Sequence, residues 1–247
     1  MEQIYTIPVN EAFEKVQQEG SCKCPFCMLY NKLESSELDL ILGASMMEPD
    51  VRVKTNELGF CDQHLQMMFE GGKRLPLSLI LESHLDHVAG SIDGSLSPLL
   101  ISKTGENAAK KLEKLNHSCY ICGRIEYNFR NMIETAALLW EQDEAFRDKV
   151  KAAPYFCLKH FGRFVQAGKE RLSRKEFQEF YTVVYGVEKT YFDKLRGDVS
   201  FFCKKFDYRY ADEPWGDAKD APERAKKFIC GELHVQEKER KPSDGLT

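Results

Sequence analysis

Four short cysteine motifs carry the chemistry that this chain can do. Cys24-Pro-Phe-Cys27 is followed by Cys61-Asp-Gln-His64, and Cys119-Tyr-Ile-Cys122 by Cys157-Leu-Lys-His160. A CxxC precedes a CxxH twice, with 33 residues between them in the first copy and 34 in the second. Residues three apart on a helical turn share a face, with Cβ atoms about 5–6 Å apart. Two thiolates so placed both reach one ion at about 2.3 Å, and a CxxH does the same with sulfur and imidazole nitrogen. The motifs therefore read as the donor sets of two Cys3His zinc sites: Cys24, Cys27, Cys61 and His64 for one, and Cys119, Cys122, Cys157 and His160 for the other. Iron–sulfur chemistry is the alternative, but such clusters use four thiolates, or two cysteines and two histidines in Rieske centres. Cys22 and His117 each stand two residues before a CxxC. They read as ordinary loop residues, with a fifth donor or a resolving thiol as the sharper possibility.

Each pair of half-sites must be brought together by the residues between them. An outward helix and a return segment would do this. Met28 to Leu42 is helix-like and ends at Gly43, Glu48 to Lys54 reads as the return, and Gly59 breaks the chain before Cys61. The second copy agrees beyond the donors. Glu48-Pro-Asp-Val-Arg52 aligns with Asp143-Glu-Ala-Phe-Arg147 at the offset of 95 that relates Cys24 to Cys119. Self-similarity at a fixed period is an architectural signal, and internal duplication is its simplest source.

Almost everything else has helical period, so the expected class is all-α: two pseudo-repeated helical zinc-binding modules, then a long C-terminal helix and an irregular aromatic segment. The boundaries expected are 1–90 for the first module and 91–105 for a Ser-, Gly- and Pro-rich linker. The second module and long helix take 106–205, the irregular segment and a last helix 206–232, and a polar tail 233–247. Asn10 reads as the cap of a first helix ending at Gln18. Leu77, Leu81, Leu85 and Val88 form a stripe that reads as core. Met132 to Trp140 continues the second outward helix, and Ser173 to Phe206 is a long amphipathic run. Tyr208, Tyr210 and Trp215 are expected to pin an irregular segment to the core, with a ligand groove between the modules as the other reading.

Composition bounds the rest. The chain has 247 residues, 43% of them hydrophobic, nine cysteines and a formal charge of −4. Three thiolates and one Zn²⁺ add one negative charge per site, which takes the filled protein to about −6. Such a chain lacks the basic face that sequence-independent nucleic-acid binding needs, so nucleic acid is not an expected partner. The first residues carry neither a basic segment nor an apolar stretch of signal type. No apolar run reaches the roughly 20 residues of a membrane helix. Thiols at metal-binding spacing then point to a reducing cytoplasm. No glycine-rich phosphate loop, nucleophile elbow or HExxH is present. An enzyme reading rests on Glu82, His84, Asp86 and His87, where His84 and His87 at i, i+3 would hold a catalytic metal; exposed histidines on the polar side of a helix are the plainer account.

These motifs, with CPxC, an acidic residue before Val-Arg, Gly-Phe-Cys-x-x-His and the second Phe-Cys-x-x-His, resemble an uncharacterised family from clostridia and related Bacillota, known only as a domain of unknown function. The likeness covers roughly residues 20 to 230, including Phe206-Asp-Tyr-Arg. It implies the same donor assignment and a bacterial cytoplasmic setting, and it implies no substrate. Tyr155 stands where the first copy has Gly59. The expected function is non-enzymatic: two closed, structural zinc sites holding a surface for a protein partner or small ligand. A redox or metal-responsive protein using Cys22 is the alternative, and the His84/His87 enzyme comes after it.

Overall fold

The protein is seen as a computed structural model that describes residues 5–18, 23–92 and 101–235. Eleven α-helices and no strand lie among them. Two compact units divide the chain. One comprises Met1–Lys32 with Phe129–Thr247, the other Leu33–Asn128. The linear modules expected from the repeat are not these units. The boundaries fall inside the two long helices that follow each CxxC, α2 (Pro25–Ile41) and α7 (Tyr120–Gln142).

The first unit holds α1 (Thr6–Gln18), the start of α2, the end of α7, α8 (Glu144–Lys151), α9 (Leu158–Arg171), α10 (Arg174–Lys204) and α11 (Ala221–Cys230). Its core is a chain of phenylalanine rings. Phe13 meets Phe146 at 4.8 Å and Phe26 at 5.5 Å, Phe26 meets Phe164 at 4.9 Å, and Phe164 meets Phe180 at 4.8 Å. All of these rings are fully buried. Each contributes roughly 1.5–3 kcal/mol of apolar burial, and edge-to-face pairs add to that. A Cβ on Gly168 would lie 2.4 Å from the Phe180 ring, so only glycine lets α9 approach α10 here. The long run from Ser173 is one helix of 31 residues, opened by a capping box between Ser173 and Glu176. Ile133, Ala136, Ala137 and Trp140 are buried as their spacing predicts.

The second unit holds the end of α2, a 3₁₀ turn at Ala44–Met47, α3 (Pro49–Leu58), α4 (Asp62–Glu70), α5 (Arg74–Ile92), α6 (Ile101–Asn116) and the start of α7. Pro49 at the first position starts α3. Its core is aliphatic and sulfur-rich: Leu38, Ile41, Leu42, Met67, Met68, Leu77, Ile80, Ile121 and Ile125.

Several local expectations are corrected. Asn10 lies inside α1, its amide donating to the Thr6 carbonyl, so the helix starts a turn before the expected cap. Of the Leu77 stripe only Leu77 is buried, and Leu85 is 64% exposed. The helix buries Ile80 instead, because apolar residues surround its first turns and leave its inner face ambiguous. The linker expected at 91–105 is helical at both ends, within α5 and α6, and 93–100 lies outside the described residues. Tyr208 is 88% exposed and does not pin its segment; Trp215 does so, packing on Phe202 at 5.5 Å. Most of the polar tail, and Cys22, lie outside the described residues.

Candidate metal centres

All four motifs sit where helices begin. Cys24 and Cys119 immediately precede α2 and α7, while Cys61 and Cys157 are the N-cap residues of α4 and α9. Neither N-cap sulfur caps its own helix. Free N–H groups and the positive end of the helix dipole therefore face each cluster of sulfurs, which favours negative charge there.

The eight donor side chains come together in two groups of four, but not in the pairing that the sequence suggests. Cys24 and Cys27 meet Cys157 and His160, and Cys61 and His64 meet Cys119 and Cys122. Each CxxC is completed by the CxxH of the other copy. The reason is length. At 1.5 Å per residue α2 runs outward for about 25 Å and α3 returns only about 15 Å; α7 runs about 35 Å and α8 returns about 12 Å. A return so short stops partway along the outward helix: His64 meets Glu34, nine residues after Pro25 in α2, and His160 meets Phe129, nine residues after Tyr120 in α7.

In the first unit, His160 Nδ1 lies 3.7, 3.5 and 3.3 Å from the sulfurs of Cys24, Cys27 and Cys157, and Cys27 Sγ is 3.7 Å from Cys157 Sγ. The imidazole is wedged between Phe26 and Phe129. All four side chains are buried. A strap after α11 covers them. The Glu232 N–H donates to Cys27 Sγ at 3.4 Å, and Asn31 ties the strap down by donating to the Glu232 carbonyl at 2.8 Å and accepting from the Val235 N–H at 3.4 Å. Gly231 has φ 78° and ψ 171°, and its Cβ would lie 3.3 Å from Cys157 Sγ and 3.4 Å from Cys27 Sγ. Glu188, 6% exposed, accepts the Phe156 N–H at 3.0 Å and so fixes the backbone that presents Cys157.

In the second unit, His64 Nδ1 lies 3.2, 3.4 and 3.3 Å from the sulfurs of Cys61, Cys119 and Cys122, and the sulfurs of Cys61 and Cys122 are 3.8 Å apart. The turn before α4 is docked onto the start of α7: Ser118 Oγ donates to the Leu58 carbonyl at 2.7 Å, and the Tyr120 N–H to the Gly59 carbonyl at 2.9 Å. Gly59, at φ 59° and ψ −157°, sits in backbone space that essentially only glycine enters. On its other edge His64 donates from Nε2 to buried Glu34 at 3.1 Å. A carboxylate in this place fixes the imidazole so that Nδ1 faces the sulfurs. Glu34 is a residue of this site that the donor motifs do not include. Its signal is a lone acid in the apolar stripe Cys27, Tyr30, Glu34, Leu38, Ile41 of α2.

The charges within each group call for a cation. Hydrogen bonds from Cys24 and Cys27 hold the Cys157 thiol far below its ordinary range. Cys24 is then pushed well up, chiefly by burial, and Cys27 rises to about 12, chiefly through its bond to Cys157. In the other group burial opposes ionisation of Cys119, but bonds to His64 and to backbone N–H groups outweigh it and bring it to about 6. Burial, and then the charge on Cys119, push Cys122 up. In the first group Cys157 ionises while Cys24 and Cys27 keep their protons, and in the second Cys119 ionises ahead of Cys122. A divalent ion replaces those protons and stabilises all three thiolates at once. Each group can hold a metal ion.

The remaining candidates fall away from these groups. His117, Cys203 and Cys230 are exposed and belong to neither. His84 packs against Phe60 at 6.4 Å and His87 is exposed; among the described residues no group of three donors includes either one. No described helix is long and apolar enough to cross a membrane.

The family described as a family of unknown function, DUF6062, matches residues 1–236. The chain belongs to this family. The DUF6062 span contains all eight donor side chains, Glu34, Glu188 and the strap from Gly231. No curated protein and no solved structure matches the chain.

Proposed function

We propose that each group binds one zinc ion, through Cys24, Cys27, Cys157 and His160 in one unit and Cys61, His64, Cys119 and Cys122 in the other. The chain is then a non-enzymatic, cytoplasmic interaction protein whose folded state depends on both ions. The observation that carries this reading is the spacing of the donors, all within 4.8 Å of one another in each group. Zinc–sulfur and zinc–nitrogen bonds of about 2.3 and 2.0–2.1 Å set tetrahedral edges of about 3.8 Å between sulfurs and about 3.6 Å between sulfur and nitrogen. The sulfur separations of 3.7 and 3.8 Å, and nitrogen–sulfur separations of 3.2 to 3.7 Å, are close to those edges. An iron–sulfur cluster places several atoms between its cysteines and needs a wider frame.

Four protein donors leave no open coordination position, which is the pattern of structural rather than catalytic zinc. Free thiols at the eight described cysteines suit a reducing compartment. A surface for a protein partner is supported on α10, where Phe177, Tyr181 and Tyr185 stack at 6.0 and 5.9 Å and the two tyrosines are 41% and 47% exposed. The net charge of −4 weighs against nucleic acid.

Elemental analysis of protein purified without added metal, with a visible spectrum, tests the cofactor. Two zinc per chain and no colour are expected; a brown, iron-containing protein overturns the assignment. Paired variants test the exchange of half-sites. Cys24→Ala with His160→Ala leaves one ion, whereas Cys24→Ala with His64→Ala leaves none.

A further inference from the structure

The two groups differ in what lies over them. In the first, Cys24, Cys27, Cys157 and His160 are 1%, 4%, 0% and 3% exposed, beneath the strap formed by Gly231 and Glu232. In the second, His64 is fully buried and Cys119 is 9% exposed, but Cys61 is half-buried and Cys122 is exposed. The two accessible cysteines are also the two whose sulfurs stand 3.8 Å apart. Cys203 and Cys230 are exposed too, but each lacks a second thiol in contact among the described residues.

We propose that Cys61 and Cys122 form an oxidation site at which a peroxide makes a disulfide and ejects the ion of that group, while the strapped group keeps its own. This rests on the zinc reading for occupancy. The place of oxidation rests only on exposure and sulfur geometry. A sulfur–sulfur bond is about 2.03–2.05 Å long, so less than about 2 Å of closure is required. Side-chain rotation at two helix starts supplies motion of that size.

The chemistry balances as a two-electron exchange. The Cys122 thiolate attacks the outer oxygen of the peroxide; a sulfur–oxygen bond forms as the oxygen–oxygen bond breaks, giving a sulfenic acid and an alkoxide, or hydroxide from hydrogen peroxide. The Cys61 thiolate then attacks the Cys122 sulfur and displaces hydroxide. Two protons taken up from the buffered medium convert the alkoxide and hydroxide to an alcohol and water. Two thiolates have been oxidised, and the peroxide is reduced to an alcohol and water. Only Cys119 and His64 then remain to hold the ion, and it leaves.

The experiment uses the full chain as isolated. Its zinc is counted, hydrogen peroxide is titrated in, and released zinc is read with a chromogenic chelator. Remaining thiols are blocked, and unreduced peptides are mapped by mass spectrometry. Release of one ion of the two, with a first disulfide joining Cys61 to Cys122, is expected, and a thiol reductant with added zinc reverses both. Cys22→Ser, Cys203→Ser and Cys230→Ser combined in one chain should leave the release unchanged. A first disulfide at Cys119–Cys122 or Cys24–Cys27, parallel loss of both ions, or abolished release in that triple variant overturns the proposal. The initial zinc count tests occupancy, whereas the position of the first disulfide tests the oxidation site.

Discussion

His64 and Glu34 meet across 3.1 Å, each side chain only 1% exposed. The carboxylate lies behind the imidazole, on the edge away from the sulfurs, and sets which ring nitrogen is left to face them. Removing such a partner weakens metal binding by about 10- to 100-fold in general. Glu34→Gln keeps the shape and removes the charge. It is expected to weaken zinc binding in the Cys61 group by that factor and leave the Cys24 group untouched, as read by chelator competition.

Glu188 gives the protein a pH dependence. Burial, more than any other cause, raises its carboxyl to about 7; the Phe156 N–H opposes the rise and the nearby Cys157 adds to it. The folded state thus holds a proton that the unfolded chain releases near its ordinary value of about 4.5. A raised carboxyl stabilises most below the unfolded value, and that contribution is lost as pH rises through about 7. Zinc binding itself strengthens as pH rises and its donors lose protons, so the Glu188 contribution is read as the difference in stability between the wild type and Glu188→Gln, both zinc-loaded, in denaturant titrations. That difference is expected to fall as pH rises from about 5 to 7, with Glu188→Gln the more stable protein at pH 8. A difference that does not change with pH would remove Glu188 as its source.

The strap has a backbone requirement of its own. Gly231 lies at φ 78° and ψ 171°, and a methyl group there would press on two sulfurs. Backbone strain in this region costs of order 1–3 kcal/mol for any other residue. Gly231→Ala is expected to destabilise the fold by about that amount and to speed zinc loss from the Cys24 group in a chelator. Loss from the Cys61 group should keep its rate.

The half-sites were legible in the sequence and their partners were not. Spacing of three residues identifies Cys24 with Cys27, or Cys157 with His160, because both residues of a half-site lie on one turn. Any CxxC satisfies any CxxH, so spacing is silent on which meets which. That depends on helix lengths, 17 residues against 10 and 23 against 8, and these emerge only once α2 and α7 are seen to start at the cysteines themselves. The core of the first unit was readable where aromatic and small residues alternate at helical period, as from Ile133 to Trp140. It was unreadable in α5, where apolar residues on every side of the first turns offer two faces. Glu34 and Glu188 had a common signal, an acid in an otherwise apolar stripe, which a search for donor motifs passes over.

Exchange of the half-sites bears on how the protein is made. A ribosome delivers Cys24, Cys27, Cys61 and His64 before Cys119 exists, so the nascent chain offers a full Cys3His set that the native fold never assembles. An ion captured then must give up one of its two half-sites before either native site closes, since the first needs Cys157 and His160 and the second Cys119 and Cys122. Scarce metal during synthesis favours the correct product, and a fragment ending before Cys119 holds at best a site of the wrong kind.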